Sequence, residues 1–183
     1  FPCVPNLYAG ILQKVHTSGR SYDLTSLKVC ISGSAPLQSA IKEEFEQLTG
    51  GKVLEGYGLS EAPTATHCNP MGGKNKTGSI GLPLPDVTCK LAPYSDKEFS
   101  PGGQKIGELL IRGPQVMAGY HNASDADRDI LDGGWLHTGD IASMDEEGYF
   151  YILGRKKELI KIGGLQVWPA EIEEVIAKHP AVK

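Results

Sequence analysis

The sequence predicts an α/β fold: a βαβ unit, then a β-rich subdomain, then the start of a second, small α/β domain. Three observations support this prediction. An apolar run at 27–32, a glycine-containing turn, a helical pattern and an apolar run at 52–54 follow one another, as in a βαβ unit with parallel strands. From 77 to 113, short apolar runs alternate with turn residues. Near the end, Pro169 precedes apolar residues at helical spacing.

Two helices are predicted in the first part of the chain. The first has apolar residues at helical spacing and ends at Ser18-Gly19. Its apolar residues are Val4, Leu7, Ile11, Leu12 and Val15. The second is predicted to begin at Pro36, because proline suits the first position of a helix, and to end at Gly50-Gly51. Its apolar face consists of Leu37, Ile41, Phe45 and Leu48.

The second half of the chain is predicted to consist mostly of strands. Residues 107–112 (GELLIR) and 149–153 are strand candidates, and 145–148 (DEEG) is the turn before the second one. The helix predicted to begin at Pro169 has acidic residues near its positive N-terminal end. The apolar residues that this helix is expected to turn inward are Ile172, Val175 and Ile176.

A domain boundary is predicted at Gly154-Arg155, where a β-rich body gives way to charged residues. Residues 1–154 then belong to one domain, with a βαβ region over 1–76 and a β-rich subdomain over 77–154. Residues 155–183 begin the second domain.

Composition and charge argue against several classes of protein. The 183 residues, of 19.6 kDa, suit one domain or one domain with a small appendage. A net charge of −4 with both signs scattered argues against nucleic acid as a partner. No apolar run approaches the roughly 20 residues of a membrane span, although association with a membrane surface stays open. The four cysteines lie far apart without a CxxC, which favours reduced thiols and a cytoplasmic protein.

The segment 55–61 (EGYGLSE) contains residues suited to nucleotide chemistry. Two glycines flank Tyr57, which predicts a sharp turn that lets a flat ligand approach the ring. Ser60 and Glu61 add a hydroxyl donor and a carboxylate, which suit a phosphate and a hard cation such as Mg²⁺. The alternative is a turn at a strand end, with Ser60 capping a helix and Glu61 complementing its dipole.

Two later segments carry charged residues of interest. In 135–140 (WLHTGD), Gly139 permits a bend and Asp140 presents a carboxylate at a strand end, where it could accept the hydroxyls of a ribose. A purely structural turn is the alternative there. In 155–161 (RKKELIK), four cations lie within seven residues. Such a run is either a solvated face or a hinge that brings cations to a phosphate site.

Six segments, in this order, resemble sequence blocks of the adenylate-forming superfamily, which includes acyl-CoA synthetases, aryl-CoA ligases, luciferases and peptide-synthetase adenylation domains. They are 32–37 (SGSAPL), 55–61 (EGYGLSE), 78–86 (GSIGLPLPD), 107–122 (GELLIRGPQVMAGYHN), 135–140 (WLHTGD) and 154–176 (GRKKELIKIGGLQVWPAEIEEVI). The chain is most similar to bacterial-type fatty acyl-CoA synthetases. This resemblance implies the C-terminal part of a large adenylate-forming N-terminal domain, followed by the beginning of a mobile C-terminal domain.

The resemblance also implies roles for individual residues near the nucleotide. Ser34 and Ala35 would line the adenine pocket, and Tyr57 would stack on the base. Glu55 would belong to the same nucleotide-binding segment. The residues that would shape the nucleotide and acyl-phosphate site are Gly56, Gly58 and Ser60. Glu61 would act in catalysis as the carboxylate that binds Mg²⁺.

Further roles follow for residues near the C-terminal end. Asp140 would hold the ribose hydroxyls, and Arg155 would lie close to the ribose and phosphate. Lys157 matches the hinge position of the family. Lys161 and Gly164 match positions near the acyl-adenylate and the pantetheine tunnel, and both lysines are counted among the catalytic residues.

The implied function is an ATP-dependent, AMP-forming ligase that activates a carboxylic acid, expected to be a fatty acid, and transfers it to CoA. The Gly/Ser/Thr-rich phosphate loop and the adenylation lysine of the family are not found among these residues. We therefore expect the chain to be a fragment that does not catalyse adenylation by itself. Gly163 occupies a position where plant aryl-CoA ligases often carry a lysine that contacts CoA.

Four other functions stay open on the sequence alone, and one of them, a luciferase-like oxygenase, is favoured by no feature of the sequence. An enzyme that loads an acyl or aminoacyl group onto the pantetheine of a carrier protein would share these blocks. A non-catalytic relic that binds adenosine would keep Tyr57 and Asp140. A purely structural or interaction module requires all six blocks to be functionless.

Overall fold

The computed structural model describes residues 1–94, 103–122, 130–163, 165–177, 179 and 181–182. The chain divides into two compact units. The first unit consists of Phe1–Val87 and Pro114–Met117, and the second consists of Thr88–Gly113 and Ala118–Lys183. Among the described residues, no helix combines the length and the apolar content needed to cross a lipid bilayer. The domain ranges given above stay predictions.

The first unit contains a five-stranded mixed sheet with two helices. The strands, in spatial order, are β1 (Pro2–Cys3), β2 (Val29–Ser32), β3 (Lys52–Leu59), β4 (Ala62–Cys68) and β5 (Leu82–Pro83). Strands β1, β2 and β3 pair in parallel, whereas β3, β4 and β5 pair antiparallel. The helices are α1 (Pro5–Thr17) and α2 (Ser39–Thr49). The predicted βαβ unit is confirmed, because α2 connects the parallel strands β2 and β3.

Both helices contribute to the core of the first unit. Its buried residues are Tyr8, Leu12, Cys30, Leu37, Phe45 and Val53. The rings of Tyr8 and Phe45 meet edge to face, with their centroids 4.8 Å apart. The face predicted for α1 is partly wrong, because Val4 and Leu7 are 45% and 51% exposed. Val4 is the residue before the helix, and the inward stripe is centred on Tyr8 and Leu12, which lie one turn apart.

Helix α2 begins three residues later than predicted. Ser34 has a left-handed backbone, with φ of 71°. Gln38, the residue before the helix, is still extended, with ψ of 133°. Pro36 therefore lies in the loop rather than at the first helical position. The predicted end is confirmed, because Gly50 adopts a left-handed conformation and its N–H donates to the Glu46 carbonyl at 2.8 Å.

The second unit contains an antiparallel sheet and a small hairpin. In spatial order the main sheet consists of β10 (Phe150–Arg155), β9 (Trp135–Met144), β7 (Lys105–Arg112) and β6 (Thr88–Ala92), and β8 (Leu131–Asp132) also pairs with β9. A 3-10 turn over Lys156–Glu158 follows β10. The remaining elements are β11 (Ile160–Ile162), β12 (Leu165–Val167) and α3 (Pro169–Ala177). The strands predicted over 107–112 and 149–153 and the helix start at Pro169 are confirmed within a few residues.

The prediction that α3 turns its apolar side chains inward is wrong. Ile172, Val175 and Ile176 are 39%, 66% and 50% exposed. The contact with the sheet is made instead by Trp168, which precedes the helix and is 7% exposed. A Cβ atom on Gly154 would lie 2.7 Å from the Trp168 ring, so β10 needs a glycine where the indole packs.

His67 makes the stability of the first unit depend on pH. Its side chain is fully buried in β4, its Nδ1 lies 3.0 Å from the Thr66 hydroxyl, and burial lowers its pKa from 6.5 to about 4. The unfolded chain therefore binds more protons than the folded chain between these values. We expect the free energy of unfolding to fall by about 2–3 kcal/mol as the pH drops from 7.5 to 4.5.

Urea unfolding at both pH values measures this effect when the His67→Phe variant is run beside the unsubstituted protein. The difference between the two proteins isolates His67 from other titrating groups, such as the buried Glu55. Replacing the exposed His121 with Asn serves as the surface control. If the unsubstituted protein and His67→Phe lose the same free energy of unfolding, His67 is not the cause.

Candidate functional site

Strand β3 carries the first group of predicted site residues, and it changes partner along its length. Its first half pairs with β2 up to the Ser32–Glu55 pair, and its second half pairs with β4 through Tyr57 and His67. The predicted sharp turn around Tyr57 is therefore wrong. The chain reverses instead at Ser60–Glu61, between β3 and β4. Because a strand follows Ser60, the alternative that it caps a helix is also wrong.

The two glycines beside Tyr57 allow close approach between strands rather than a turn. A Cβ atom on Gly58 would lie 2.8 Å from the Thr64 carbonyl oxygen. One on Gly56 would lie 3.2 Å from the His67 carbonyl oxygen. The register between β3 and β4 shifts between Tyr57 and Leu59, at the point of closest contact. The glycines therefore hold this part of β3 tightly against β4.

Tyr57 is half-buried and is fixed by its neighbours on β4. Its ring meets the His67 ring edge to face, with centroids 5.9 Å apart and planes at 68°. The Thr66 hydroxyl donates to the Tyr57 carbonyl at 3.3 Å. His67 was missed by the sequence analysis, since a single histidine within 62–68 (APTATHC) gives no signal of its burial.

The Glu55 side chain binds the protein's own backbone. The Glu55 carboxylate accepts a hydrogen bond from the Gly78 N–H at 2.9 Å. The backbone carbonyl of Glu55 accepts one from the Asn69 N–H, also at 2.9 Å. Burial raises the pKa of this carboxyl, and the Lys42 charge works against that rise. Lys42 is itself only 4% exposed and donates to the Thr77 hydroxyl at 3.1 Å. This polar network holds the loop after β4, and a nucleotide-binding role for Glu55 stays a prediction.

The Ser34–Ala35 segment lies beside the glycines of β3. Ser34 and Ala35 are exposed on the loop that follows β2. An ideal Cβ atom on Gly33 would lie 3.4 Å from the Gly56 carbonyl oxygen, so this loop is in contact with β3. The structure thus brings together the segments around Ser34 and Tyr57, which are far apart in the sequence. They meet at the carboxyl end of parallel strands, where ligands bind in open α/β sheets.

Residues 115 and 117 bind the backbone at and just after the turn that contains Ser60 and Glu61. The sequence did not predict this contact. The Met117 N–H donates to the Glu61 carbonyl at 2.8 Å, and the Gln115 amide donates to the Ala65 carbonyl at 3.1 Å. In the described part of the chain, no three His, Cys, Asp or Glu residues form a metal cluster. One carboxylate is nevertheless sufficient for a Mg²⁺ ion that also binds substrate phosphates, so Glu61 fits that use.

In the second unit, Asp140 lies inside β9 and not at a strand end as predicted. Between the pairs Glu108–Ile141 and Leu110–His137, β7 has one residue and β9 has three, at 138–140. The extra residues form a β-bulge in which Gly139 has φ of 70°. The bulge redirects the backbone next to Asp140, whose residue exposure is only 5%.

The structure brings together Asp140 and Arg155, which were both predicted to lie near the ribose. They lie opposite each other on β9 and β10. The Arg155 guanidinium donates to Asp140 Oδ1 at 3.0 Å. The Asp140 side chain is 7% exposed, whereas that of Arg155 is 56% exposed. A nearly buried carboxylate is thus paired with a cation that remains accessible.

Glu108 is a third charged residue at this position that the sequence analysis missed. It is 5% exposed, and its carboxylate accepts the Gly139 N–H at 3.2 Å and the Lys156 ammonium at 2.8 Å. Its Oε2 lies 3.6 Å from His137 Nδ1. The available signal was an acidic residue within the apolar strand GELLIR, where a buried charge requires partners.

The remaining predicted site residues belong to the segment that follows β10 in the sequence. Lys157 is exposed in the 3-10 turn, and Lys161 is exposed on β11. Gly164 lies outside the described residues. The functional roles of all these residues stay predictions.

The sequence of residues 1–121 matches the protein family described as "AMP-binding enzyme". This match covers well over half of the chain. The chain belongs to the AMP-binding enzyme family. The predicted resemblance and the α/β fold class are thereby confirmed.

This AMP-binding family member is 46% identical over 183 residues to the Long-chain-fatty-acid–CoA ligase of Bacillus subtilis. The alignment covers 100% of this chain and 32% of the relative. The structure of this chain matches ATP-bound MatB from Rhodopseudomonas palustris with a TM-score of 0.82 and 35% identity, over 100% of this chain and 36% of that one. It also matches the anthranilate CoA ligase AuaEII in complex with anthranoyl-AMP, with a TM-score of 0.81 and 30% identity, over 100% and 34% of the respective chains. The chain thus spans about a third of the length of these proteins.

The close approach at Gly58 gives a test of the β3–β4 geometry. A methyl group at this position meets the Thr64 carbonyl, so we expect Gly58→Ala to lower the free energy of unfolding by about 1–3 kcal/mol. Gly10→Ala is the matched control, because a Cβ atom there meets nothing within 4 Å on the exposed side of α1. We expect that variant to gain about 0.5–1 kcal/mol. Urea unfolding of the three proteins measures both values, and equal stabilities of the two variants would contradict the described pairing.

Proposed function

We propose that the full-length protein carrying this chain is an ATP-dependent, AMP-forming ligase that converts a long-chain fatty acid into its CoA thioester. The observation that carries the proposal is the 46% identity to a Long-chain-fatty-acid–CoA ligase over all 183 residues of the chain. Because the chain spans only a third of that relative, the activity is assigned to the full-length protein.

We assign the adenine base of ATP to residues of the first unit and, separately, the ribose to residues of the second. Tyr57 offers a half-buried ring, held by His67, on which the adenine base stacks. Ser34 and Ala35 line the base pocket on the neighbouring loop. Asp140 accepts hydrogen bonds from the ribose hydroxyls, and Arg155 lies near the ribose and phosphate. The match to an ATP-bound structure of MatB supports ATP as the nucleotide.

The first chemical step joins two anions, and the site has to remove their repulsion. The fatty-acid carboxylate attacks the α-phosphate of ATP, pyrophosphate leaves and an acyl-adenylate forms. Two unit charges about 4 Å apart repel by about 4 kcal/mol at an effective dielectric constant of about 20. Glu61 would hold Mg²⁺, which supplies positive charge to the phosphates when bound. The cations Arg155 and Lys161 add to this compensation. The anthranoyl-AMP in the matching AuaEII structure supports an adenylate intermediate.

In the second step, the thiol of CoA attacks the acyl carbonyl and AMP leaves. The acid and the thiol make different demands on the site, so we assign a domain rotation between the steps, with Lys157 as its pivot. The acceptor is CoA in the proposal, in keeping with the name of the relative. The pantetheine of a carrier protein is the alternative acceptor, because Gly163 stands where other ligases carry a CoA-contacting lysine.

The proposal predicts that the purified full-length protein forms AMP and palmitoyl-CoA from ATP, palmitate and CoA in the presence of Mg²⁺. We expect Asp140→Asn to lower kcat/KM for ATP about 10- to 100-fold, because a charged acceptor for the ribose hydroxyls is lost. Asp132→Asn, at an exposed position on β8, is the matched control and retains activity.

Chromatography of the nucleotides and thioesters measures both quantities. Release of ADP instead of AMP, or no turnover with any fatty acid, would refute the proposal. Thioester formation on a holo-carrier protein but not on CoA would transfer the proposal to the alternative acceptor.

The assignment of Lys157 as pivot predicts that Lys157→Pro impairs thioester formation more than adenylation. Proline fixes φ near −65°, and rotation about this residue requires that angle to change. We expect at least a tenfold greater loss in palmitoyl-CoA formation than in palmitate-dependent ATP–pyrophosphate exchange. Lys157→Ala, which removes the ammonium and keeps the backbone free, is the control. An equal loss of both half-reactions in Lys157→Pro would sink the pivot assignment.

A further inference from the structure

We propose that Glu108 is a positioning residue that fixes the ribose-binding carboxylate of Asp140 by holding the bulge of β9. This inference rests on the proposed function, since it concerns how well the protein distinguishes ATP from nucleotides that lack a ribose hydroxyl. Glu108 lies on β7, opposite Ile141 and directly beside the bulge.

The first support is the contact between Glu108 and the bulge itself. The Glu108 carboxylate accepts the N–H of Gly139, the residue with the left-handed backbone, at 3.2 Å. On the other side of Gly139, the Thr138 hydroxyl donates to the Leu109 carbonyl at 2.7 Å and accepts the Asp140 N–H at 3.1 Å. Adjacent residues of β7 therefore hold the backbone on which Asp140 is mounted.

The second support is charge compensation from the segment after β10. A carboxylate that is 5% exposed needs a partner, and the Lys156 ammonium lies 2.8 Å from Glu108 Oε2. His137 Nδ1 also lies near this oxygen, at 3.6 Å, and the His137 side chain is 30% exposed. The preceding residue, Arg155, pairs with Asp140 at 3.0 Å. Two consecutive cations thus bind two acidic residues, one on β7 and one on the bulge.

These contacts give Glu108 an effect that differs from general stability. Without its carboxylate, the Gly139 N–H loses its acceptor, and the bulge can relax towards regular pairing. The Asp140 oxygen atoms then move relative to the ribose, while the rest of the nucleotide site is unchanged. Loss of Glu108 should therefore affect recognition of the hydroxyls more than turnover at saturating ATP.

The test compares ATP with 2′-deoxyATP in the full-length protein. The measured quantity is the ratio of their kcat/KM values in palmitate-dependent AMP formation. We expect Glu108→Ala to lower this ratio about tenfold and to raise KM for ATP about tenfold, with kcat within about threefold of the unsubstituted protein. Glu108→Gln keeps an oxygen acceptor for Gly139, and we expect its ratio to stay within about threefold. Glu146→Gln, in the exposed turn between β9 and β10, is the matched control.

The results of this test separate the positioning role of Glu108 from the proposed ligase function. Thermal unfolding of every variant shows whether it folds, and if Glu108→Ala does not, the double variant E108M/K156M replaces both charges with side chains of similar length. The same tenfold loss of the ratio is expected for it. A folded, active variant that retains the original ratio would overturn the positioning role alone. A full-length protein without AMP-forming activity would overturn the proposed function and, with it, this inference.

Discussion

The backbone pairing of β3 determines where the residues of the first unit lie. The strand joins a parallel sheet on one side up to Glu55, and beyond that residue it joins an antiparallel hairpin with β4. Tyr57 falls just after the change of partner, and the chain reverses at Ser60–Glu61. Close contact at Gly58 is what allows this change, because any larger side chain would collide with the Thr64 carbonyl. Site residues that belong to one short motif are thus distributed over a strand and a turn.

Buried charged side chains stabilise a loop of the first unit and the bulge of β9 in the second unit. Lys42 and Glu55 are both less than a tenth exposed, and each binds polar atoms of the segment 75–78. In the second unit, Glu108 binds a backbone amide of the bulge and the Lys156 side chain. Burying such groups is unfavourable unless they are paired, so these networks fix one loop geometry and disfavour the others.

Local features of the sequence predicted local structure well, and long-range partners accounted for most of the errors. Gly50 and Pro169 mark helix ends because their backbone preferences act without a partner. Gly58 is different, since a glycine permits either a turn or a close approach, and only the neighbouring strand decides between them. Glu108 gave little signal because its partners Gly139 and Lys156 lie 31 and 48 residues away.

The ion pair between Asp140 and Arg155 determines which kind of ligand the Asp140 carboxylate suits. A guanidinium 3.0 Å from Asp140 Oδ1 supplies positive charge at the place where a hard cation would bind, and so opposes one. Neutral hydroxyl groups meet no such repulsion and can still donate to a charged acceptor. The ion pair with Arg155 therefore favours the recognition of hydroxyl groups over the binding of a cation at Asp140.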